Sequence, residues 1–173
     1  MSAENINVSR FEILMDAGNG AQKAGDILIT ALAHTGRYVF IEPMIPAEIS
    51  PPKRTKPALS GSIVRLANFD LKNIGNDTDI IIAEHEICLE RRLDDEEHNS
   101  DVKILLDMGH QKNNAETYER VLKRCTKEGV HLVPFEICDE ARELMKSLAG
   151  RGANMYYIGI ISAIYTIPEE IVI

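Results

Sequence analysis

The sequence predicts a three-layer α/β/α domain with a mostly parallel central sheet. Short apolar runs typical of strands alternate along the chain with segments whose apolar residues recur at spacings of three and four. Parallel strands need crossover helices that cover both sheet faces, and this alternation supplies them. The 173 residues, 45% hydrophobic and 27% charged, suit one globular domain that buries on the order of 70% of its unfolded surface. We therefore expect a single domain over residues 1–173.

The first elements follow from local pattern. Residues 10–16 read as a buried strand, and Gly18 and Gly20 interrupt it before a helix over 21–35. The helix is predicted because its apolar residues fall on one face: Ala21, Ala24, Ile27, Leu28, Ala31 and Leu32. Gly36 ends the helix, and the β-branched and aromatic residues of 37–42 predict a second strand.

A proline-rich segment at 43–57 separates these elements from the rest of the chain. Its five prolines are Pro43, Pro46, Pro51, Pro52 and Pro57. Proline removes a backbone donor and fixes φ, so we expect an irregular, exposed loop that is mobile in the isolated chain.

The second half repeats the strand and helix alternation. The predicted strands are 61–67, 79–83, 102–107 and 130–135, and the predicted helices are about 113–127 and 137–149. A last helix over 154–167 is apolar nearly all round, which indicates burial on most sides by its own domain or by a partner chain. The acidic run at 94–97 reads as a solvated loop.

Charge and cysteine content exclude several functions. A formal net charge of -8 and a pI near 5.1 oppose binding to nucleic acid or to anionic membranes. The sequence shows neither a membrane-spanning stretch nor a secretion signal, so we expect a cytoplasmic protein. Cys88, Cys125 and Cys138 lack disulfide or cluster spacing, and an iron–sulfur cluster usually needs about four cysteines.

Gly18-Asn19-Gly20-Ala21-Gln22 lies between the first strand and the first helix, where backbone N–H groups and the helix dipole can receive an anion. The dinucleotide fingerprint needs glycine at position 23, which is Lys23, and no phosphate-binding GxxxxGK[ST] pattern occurs. Spacing alone leaves two readings open, a tight structural turn and an anion site. Asp16 beside it is expected to organise the turn through its carboxylate.

These motifs, taken in order, resemble the gamma components of the 2-oxoacid:acceptor oxidoreductases. The family's opening strand, GxGGQG-type turn and Ala-Gly-x-Ile-Leu helix are similar to the segments 18–22 and 24–28. Further likenesses run through Gly36–Val39, Ile45–Glu48, Ser62–Leu66 and Thr78–Ala83, and end with Gly152-Ala153-Asn154-Met155, Gly159, Ala163 and Pro168-Glu169. Two departures stand out: Lys23 replaces the last glycine of the turn, and Ser50–Pro57 replaces an Arg-Gly-Gly stretch.

The resemblance implies a gamma component that supports catalysis by a larger complex and has no catalytic residue of its own. It implies alpha and beta subunits as partners, with thiamine diphosphate, magnesium, iron–sulfur clusters and coenzyme A in the assembled complex and none bound by this chain alone. Its candidate cofactor-binding residues are Gly18, Asn19, Gly20, Gln22 and Arg54. The family's fused forms imply that the chain can be part of a longer polypeptide. We expect the isolated chain to form a homodimer.

Two alternatives remain beside this reading: a stand-alone nucleotide- or phosphate-binding module, and a divergent assembly protein without activity. Other candidate chemistry is sparse. Glu84, His85 and Glu86 suggest metal ligands, but an exposed helix start explains them better, so no metal site is predicted. His110 follows the strand at 102–107 and can serve as an acid or base, yet the sequence spaces no second group to meet it.

Overall fold

The computed structural model describes residues 7–95, 98–149 and 151–172. They form a six-stranded sheet in the order β2-β3-β1-β4-β5-β6. The strands are β1 Val8–Asp16, β2 Tyr38–Met44, β3 Leu59–Ala67, β4 Ile80–Ala83, β5 Lys103–Asp107 and β6 His131–Phe135. The helices are α1 Ala21–His34, α2 Glu86–Asp94, α3 Ala115–Glu128, α4 Asp139–Ser147, α5 Ala153–Tyr165 and α6 Glu169–Val172. Short 3-10 turns lie at Lys56–Ala58 and Gln111–Asn113.

The sheet is mostly parallel, as predicted, with one exception. β1 pairs in parallel with β4, β4 with β5, and β5 with β6, whereas β3 is antiparallel to both β1 and β2. The segment between β2 and β3 contains only a short 3-10 turn. Without a crossover helix it does not return the chain for parallel pairing, so β3 runs back along β2.

Two apolar clusters lie on opposite faces of the sheet and confirm the three layers. Alternate residues of β1 point to opposite faces, so Phe11, Ile13 and Met15 pack under α1 and α5 while Leu14 packs under α2 and α3. After β1 the chain therefore continues into α1 on one face of the sheet, and after β4 it continues into α2 on the opposite face. This reversal places a crevice at the carboxyl ends of β1 and β4.

Helix α5 is largely covered by its own domain. Tyr157, Ile158, Ile161 and Tyr165 are buried in the cluster it shares with α1. Met155, at 47% exposed, is the large apolar residue of α5 that stays most open to solvent. None of the helices in the described residues has the length and apolar character needed to cross a bilayer.

Helix α2 corrects two expectations. The segment Glu84-His85-Glu86 does begin a helix, but all three residues are buried rather than exposed. Asp94 is exposed as expected, yet it belongs to α2 and not to a loop. The remainder of the acidic run, residues 96 and 97, lies outside the described residues.

Candidate functional site

A cleft of about 760 Å³ opens at the carboxyl ends of the central strands. Asp16 at the end of β1, Glu84 and His85 after β4, and Asp107 at the end of β5 line its floor. The turn after β1, the loop around Arg54 and the segments flanking the α4–α5 junction form its walls. The cleft thus lies at the switch point where ligands bind in open α/β sheets.

The glycine turn has the backbone that its sequence predicts. Gly18 and Gly20 have φ values of 88° and 92°, which glycine adopts at little cost. The Asn19 backbone N–H donates to the Asp16 carbonyl at 3.1 Å, and its side-chain amide donates to both Glu84 carboxylate oxygens at 2.9 and 3.1 Å. Asn19 therefore ties the turn to the end of β4.

The first and the last segments that resemble the family contact each other at this turn. Asn154 of α5 donates to the Gly20 carbonyl at 3.4 Å, and a Cβ on Gly20 would lie 2.7 Å from the Asn154 amide nitrogen. Gly25 of α1 packs just as closely against Ser62 and Ile41 of the sheet. The glycines therefore serve close packing as well as the turn.

Four of the five predicted site residues lie together. Gly18, Asn19, Gly20 and Arg54 line the cleft, whereas Gln22 is exposed and is absent from the described lining. The sequence identified Lys23 only as a departure from the glycine pattern, yet this residue lines the cleft. The lysine thus adds a positive charge at the start of α1.

Arg54 is held in an uncommon conformation. It has a φ of 57°, which costs a non-glycine residue free energy unless contacts hold it. Its backbone N–H donates to the Asp16 carboxylate at 3.0 and 3.2 Å, and its guanidinium donates to Glu86 at 2.5 Å. The expectation that the Asp16 carboxylate organises the glycine turn is therefore wrong, because that carboxylate binds the Arg54 loop.

Asp16 also belongs to a buried cluster with His85 and Cys88. His85 Nε2 lies 3.1 Å from Asp16 Oδ1 and 3.4 Å from Cys88 Sγ. Burial raises the pKa of the Cys88 thiol, and the charges of Asp16, Glu84 and Glu86 raise it further. Burial also acts to raise the pKa of Asp16, but hydrogen bonds and charges from His85 and Arg54 outweigh it and lower that pKa.

A second group of titratable side chains lies at the end of β5. Asp107 accepts hydrogen bonds from the Gly109 backbone at 2.8 Å and the Tyr157 hydroxyl at 3.2 Å, and burial raises its pKa. The rings of His85 and His110 meet edge to face with centroids 6.5 Å apart. His110 thus lies beside the ring of His85, a neighbour that the spacing of the sequence does not indicate.

The cleft is rich in cations although the chain is acidic. Its lining contains Lys23, Lys53, Arg54, Arg142, Lys146 and Arg151, against the carboxylates Asp16, Glu84 and Asp107. The formal charge of the whole chain is -8. Positive charge concentrated in a crevice attracts anionic ligands, so the lining suits a carboxylate or phosphate.

Comparison with known proteins gives one sequence relative. The chain is 27% identical over 163 residues to the 2-oxoglutarate oxidoreductase subunit KorA of Mycobacterium tuberculosis. The match covers 87% of this chain and 24% of KorA, so the chain spans about a quarter of that relative's length. No protein-family model matches the sequence.

Solved structures share the fold. A 2-oxoglutarate:ferredoxin oxidoreductase from Magnetococcus marinus, with 2-oxoglutarate, coenzyme A and succinyl-CoA bound, superposes with a TM-score of 0.72 at 23% identity, covering 96% of this chain and 26% of that one. The pyruvate oxidoreductase subunit PORC of Thermotoga maritima gives 0.63 at 18% identity, covering 96% and 82%. The keto/oxoacid ferredoxin oxidoreductase gamma subunit of Geobacter sulfurreducens gives 0.64 at 15% identity, covering 95% and 81%.

These matches confirm the resemblance first seen in the motifs: the chain is a relative of KorA and has the fold of the gamma subunits of the 2-oxoacid:ferredoxin oxidoreductases.

Proposed function

We propose that this chain is the gamma component of a thiamine-diphosphate-dependent 2-oxoacid:ferredoxin oxidoreductase. In this role it supports the oxidative decarboxylation of a 2-oxoacid to an acyl-CoA, and the reaction is catalysed by the assembled complex. The observation that carries the proposal is the meeting of the family's opening glycine turn with its closing Asn154 segment at one cleft. Two motifs far apart in sequence are thereby explained by one site.

The cleft is proposed to receive an anionic group of the complex's substrates, either a phosphate of coenzyme A or the carboxylate of the oxoacid. The glycine turn and the start of α1 offer backbone N–H groups, and Lys23, Lys53 and Arg54 add positive charge. Of the predicted residues, Gly18, Asn19, Gly20 and Arg54 stay in the proposal. Gln22 is left out of it because its exposed position does not line the cleft.

The redox groups of the proposed complex do not fit the donors of this chain. An iron–sulfur cluster requires about four thiolates close together, whereas Cys88 and Cys125 are buried and Cys138 is exposed. The clusters are therefore assigned to the alpha and beta partners, and the family resemblance assigns thiamine diphosphate and magnesium to the same partners. The proposal includes a cytoplasmic location, because thiols stay reduced in the cytosol and the three cysteines are unpaired.

Association tests the proposal. The native chain, or the longer polypeptide that contains it, should co-purify with alpha and beta components and restore acyl-CoA formation when added to them. A native chain that never associates with such components would remove the main support for this function.

Calorimetry separates the alternative of a stand-alone nucleotide or phosphate binder. Tight binding of coenzyme A, NAD or ATP by the isolated chain would favour that alternative.

Within the complex, Lys23→Gln should raise the KM for coenzyme A or for the oxoacid. Lys127→Gln should raise neither, because Lys127 lies in the last turn of α3 and is absent from the described lining of the cleft.

A further inference from the structure

We propose that Asp16, His85 and Cys88 form a binding site for a transition-metal dication, with zinc as the first candidate. One ligand atom from each of these buried residues lies within 4.8 Å of the other two. Asp16 and His85 also line the cleft, but the binding of a metal ion by these residues does not depend on the proposed gamma-component role.

The elements bring the three side chains together. His85 is the extended residue immediately before α2, Cys88 lies in the first turn of this helix, and the two side chains meet with 3.4 Å between Nε2 and Sγ. Asp16 ends β1, and β1 pairs in parallel with β4, whose chain leads directly into α2. The carboxyl ends of neighbouring parallel strands therefore supply all three donors.

The distances suit tetrahedral zinc. Zinc bonds of about 2.0 to 2.3 Å to oxygen, nitrogen and sulfur place neighbouring tetrahedral ligands roughly 3.2 to 3.7 Å apart. The observed separations from His85 Nε2 are 3.1 Å to Asp16 and 3.4 Å to Cys88. The third pair, Asp16 and Cys88, lies within 4.8 Å, and an ion that binds all three atoms brings this pair to roughly 3.2 to 3.7 Å.

Hydrogen bonding explains this arrangement poorly. A neutral imidazole nitrogen has either one proton or one lone pair, yet His85 Nε2 faces both a carboxylate and a thiol. His85 Nδ1 is buried without a hydrogen-bond partner among the described residues. A metal on Nε2 accounts for the crowding there and leaves the proton on Nδ1, which can donate to a ligand in the cleft that His85 lines.

The surrounding charge favours a cation. Glu84 and Glu86 are buried beside the cluster and, with Asp16, act electrostatically on Cys88, whereas Arg54 acts in the opposite direction. One carboxylate oxygen of Glu86 is buried without a partner in the described residues. On binding, the Cys88 S–H bond breaks, an S–Zn bond forms and one proton passes to solvent.

Cobalt(II) provides the test, because a thiolate ligand gives cobalt a sulfur-to-metal charge-transfer band. The full chain carrying Cys138→Ser, which removes the exposed thiol, is titrated with cobalt and then with zinc. We expect one equivalent of cobalt to produce the band, zinc to abolish it, and zinc binding to release one proton. A parent protein that produces no such band overturns the proposal.

Two cysteine variants identify the ligand. Cys88→Ser in the same background should lose the band and weaken zinc binding about tenfold or more. Cys125→Ser removes another buried thiol, outside the cluster, and should retain both. A band that survives Cys88→Ser, or that disappears with Cys125→Ser, overturns the proposal. Should Cys88→Ser fail to fold, His85→Gln takes its place: retained zinc affinity there contradicts the site, and loss supports it.

Discussion

At the residue scale, Gly18 and Gly20 look equivalent in sequence but differ in what surrounds them. Both have positive φ, so both positions are strained for any residue with a Cβ. A Cβ on Gly18 would meet no described atom within 4 Å, whereas one on Gly20 would meet the Asn154 side chain. Both positions therefore need glycine for their positive φ, and Gly20 also needs it because a side chain there would collide with Asn154.

This difference predicts unequal effects of alanine. Gly18→Ala should lower the free energy of unfolding by about 1 kcal/mol through backbone strain, and Gly20→Ala should lower it by more because of the added contact. Urea denaturation measures both. The double variant Gly20→Ala/Asn154→Gly should recover the excess over Gly18→Ala. Equal losses in the two single variants would show that Asn154 does not restrict position 20.

Arg92 is a buried arginine whose burial the local sequence does not indicate. Arg92 follows Arg91 in a segment that contains both acidic and basic residues. Its side chain is nevertheless only 2% exposed and donates two hydrogen bonds to the Glu12 carboxylate of β1, at 2.5 and 2.7 Å. Arg91 pairs instead with Asp95 near the surface. Which arginine is buried depends on the rotation of α2 over the sheet.

Removing one partner of this buried pair should be costly. Arg92→Met leaves the buried Glu12 with Arg10 and the Thr78 hydroxyl but without its two hydrogen bonds from Arg92, and should destabilise the chain by about 3 to 5 kcal/mol. Arg91→Met, the neighbouring control, should stay within about 0.5 kcal/mol. Thermal and urea unfolding provide the comparison. Similar losses at both positions would contradict the assigned rotation of α2.

At the scale of elements, an ion-pair network joins α2, α3 and the 3-10 turn before β3. Glu90 of α2 lies 2.9 Å from Arg120 and 3.6 Å from Lys56. Partial burial acts to raise the pKa of Glu90, but the hydrogen bonds and charges of Arg120 and Lys56 outweigh it and lower that pKa. The folded state therefore favours the ionised carboxylate.

The lowered pKa predicts how stability depends on pH. A group whose folded pKa lies below its unfolded value stabilises the fold above the unfolded pKa, about 4.3 for glutamate, and loses that effect as pH falls through the folded pKa. Glu90→Gln should therefore lower the urea midpoint at pH near 7, with a difference from the parent that shrinks under acid. Glu143→Gln, in an exposed pair on α4, should change the midpoint little at any pH. A Glu90→Gln difference that persists unchanged in acid contradicts this assignment.

At the scale of the whole molecule, the homodimer stays a prediction, and the structure weakens the observation from which the sequence inferred it. The apolar helix α5 is mostly enclosed by α1 and the sheet. Leu144 of α4 and Leu148, the residue that follows this helix, are 62% and 51% exposed. These two side chains are the exposed apolar groups that we propose for a contact between two copies of the chain.

Sedimentation at micromolar concentration tests the dimer. The isolated chain should show a species near twice its mass of 19.3 kDa. Leu144→Ser/Leu148→Ser should shift it towards monomer while unfolding stays within about 1 kcal/mol of the parent, because both side chains are exposed. A parent chain that sediments strictly as a monomer refutes the dimer.

The sequence by itself determined the elements and their approximate bounds. Strand and helix periods placed β1 through β6, α1 and α3 through α5 close to their observed positions, because these patterns depend on which neighbours along the chain share a face. The two glycines also marked the turn between β1 and α1, where both have positive φ. The family resemblance was also confirmed, and it too depends on motifs that can be read in order along the chain.

Only the tertiary structure decided the direction of each strand, the burial of individual side chains and which distant residues come into contact. The antiparallel course of β3, the burial of His85 and Arg92, and the place of Gln22 outside the cleft follow from contacts between residues distant in sequence. The cluster of Asp16, His85 and Cys88 arises because β1 and β4 end side by side. A local pattern records which side of its own element a residue faces, and the packing of the other elements decides what it meets there.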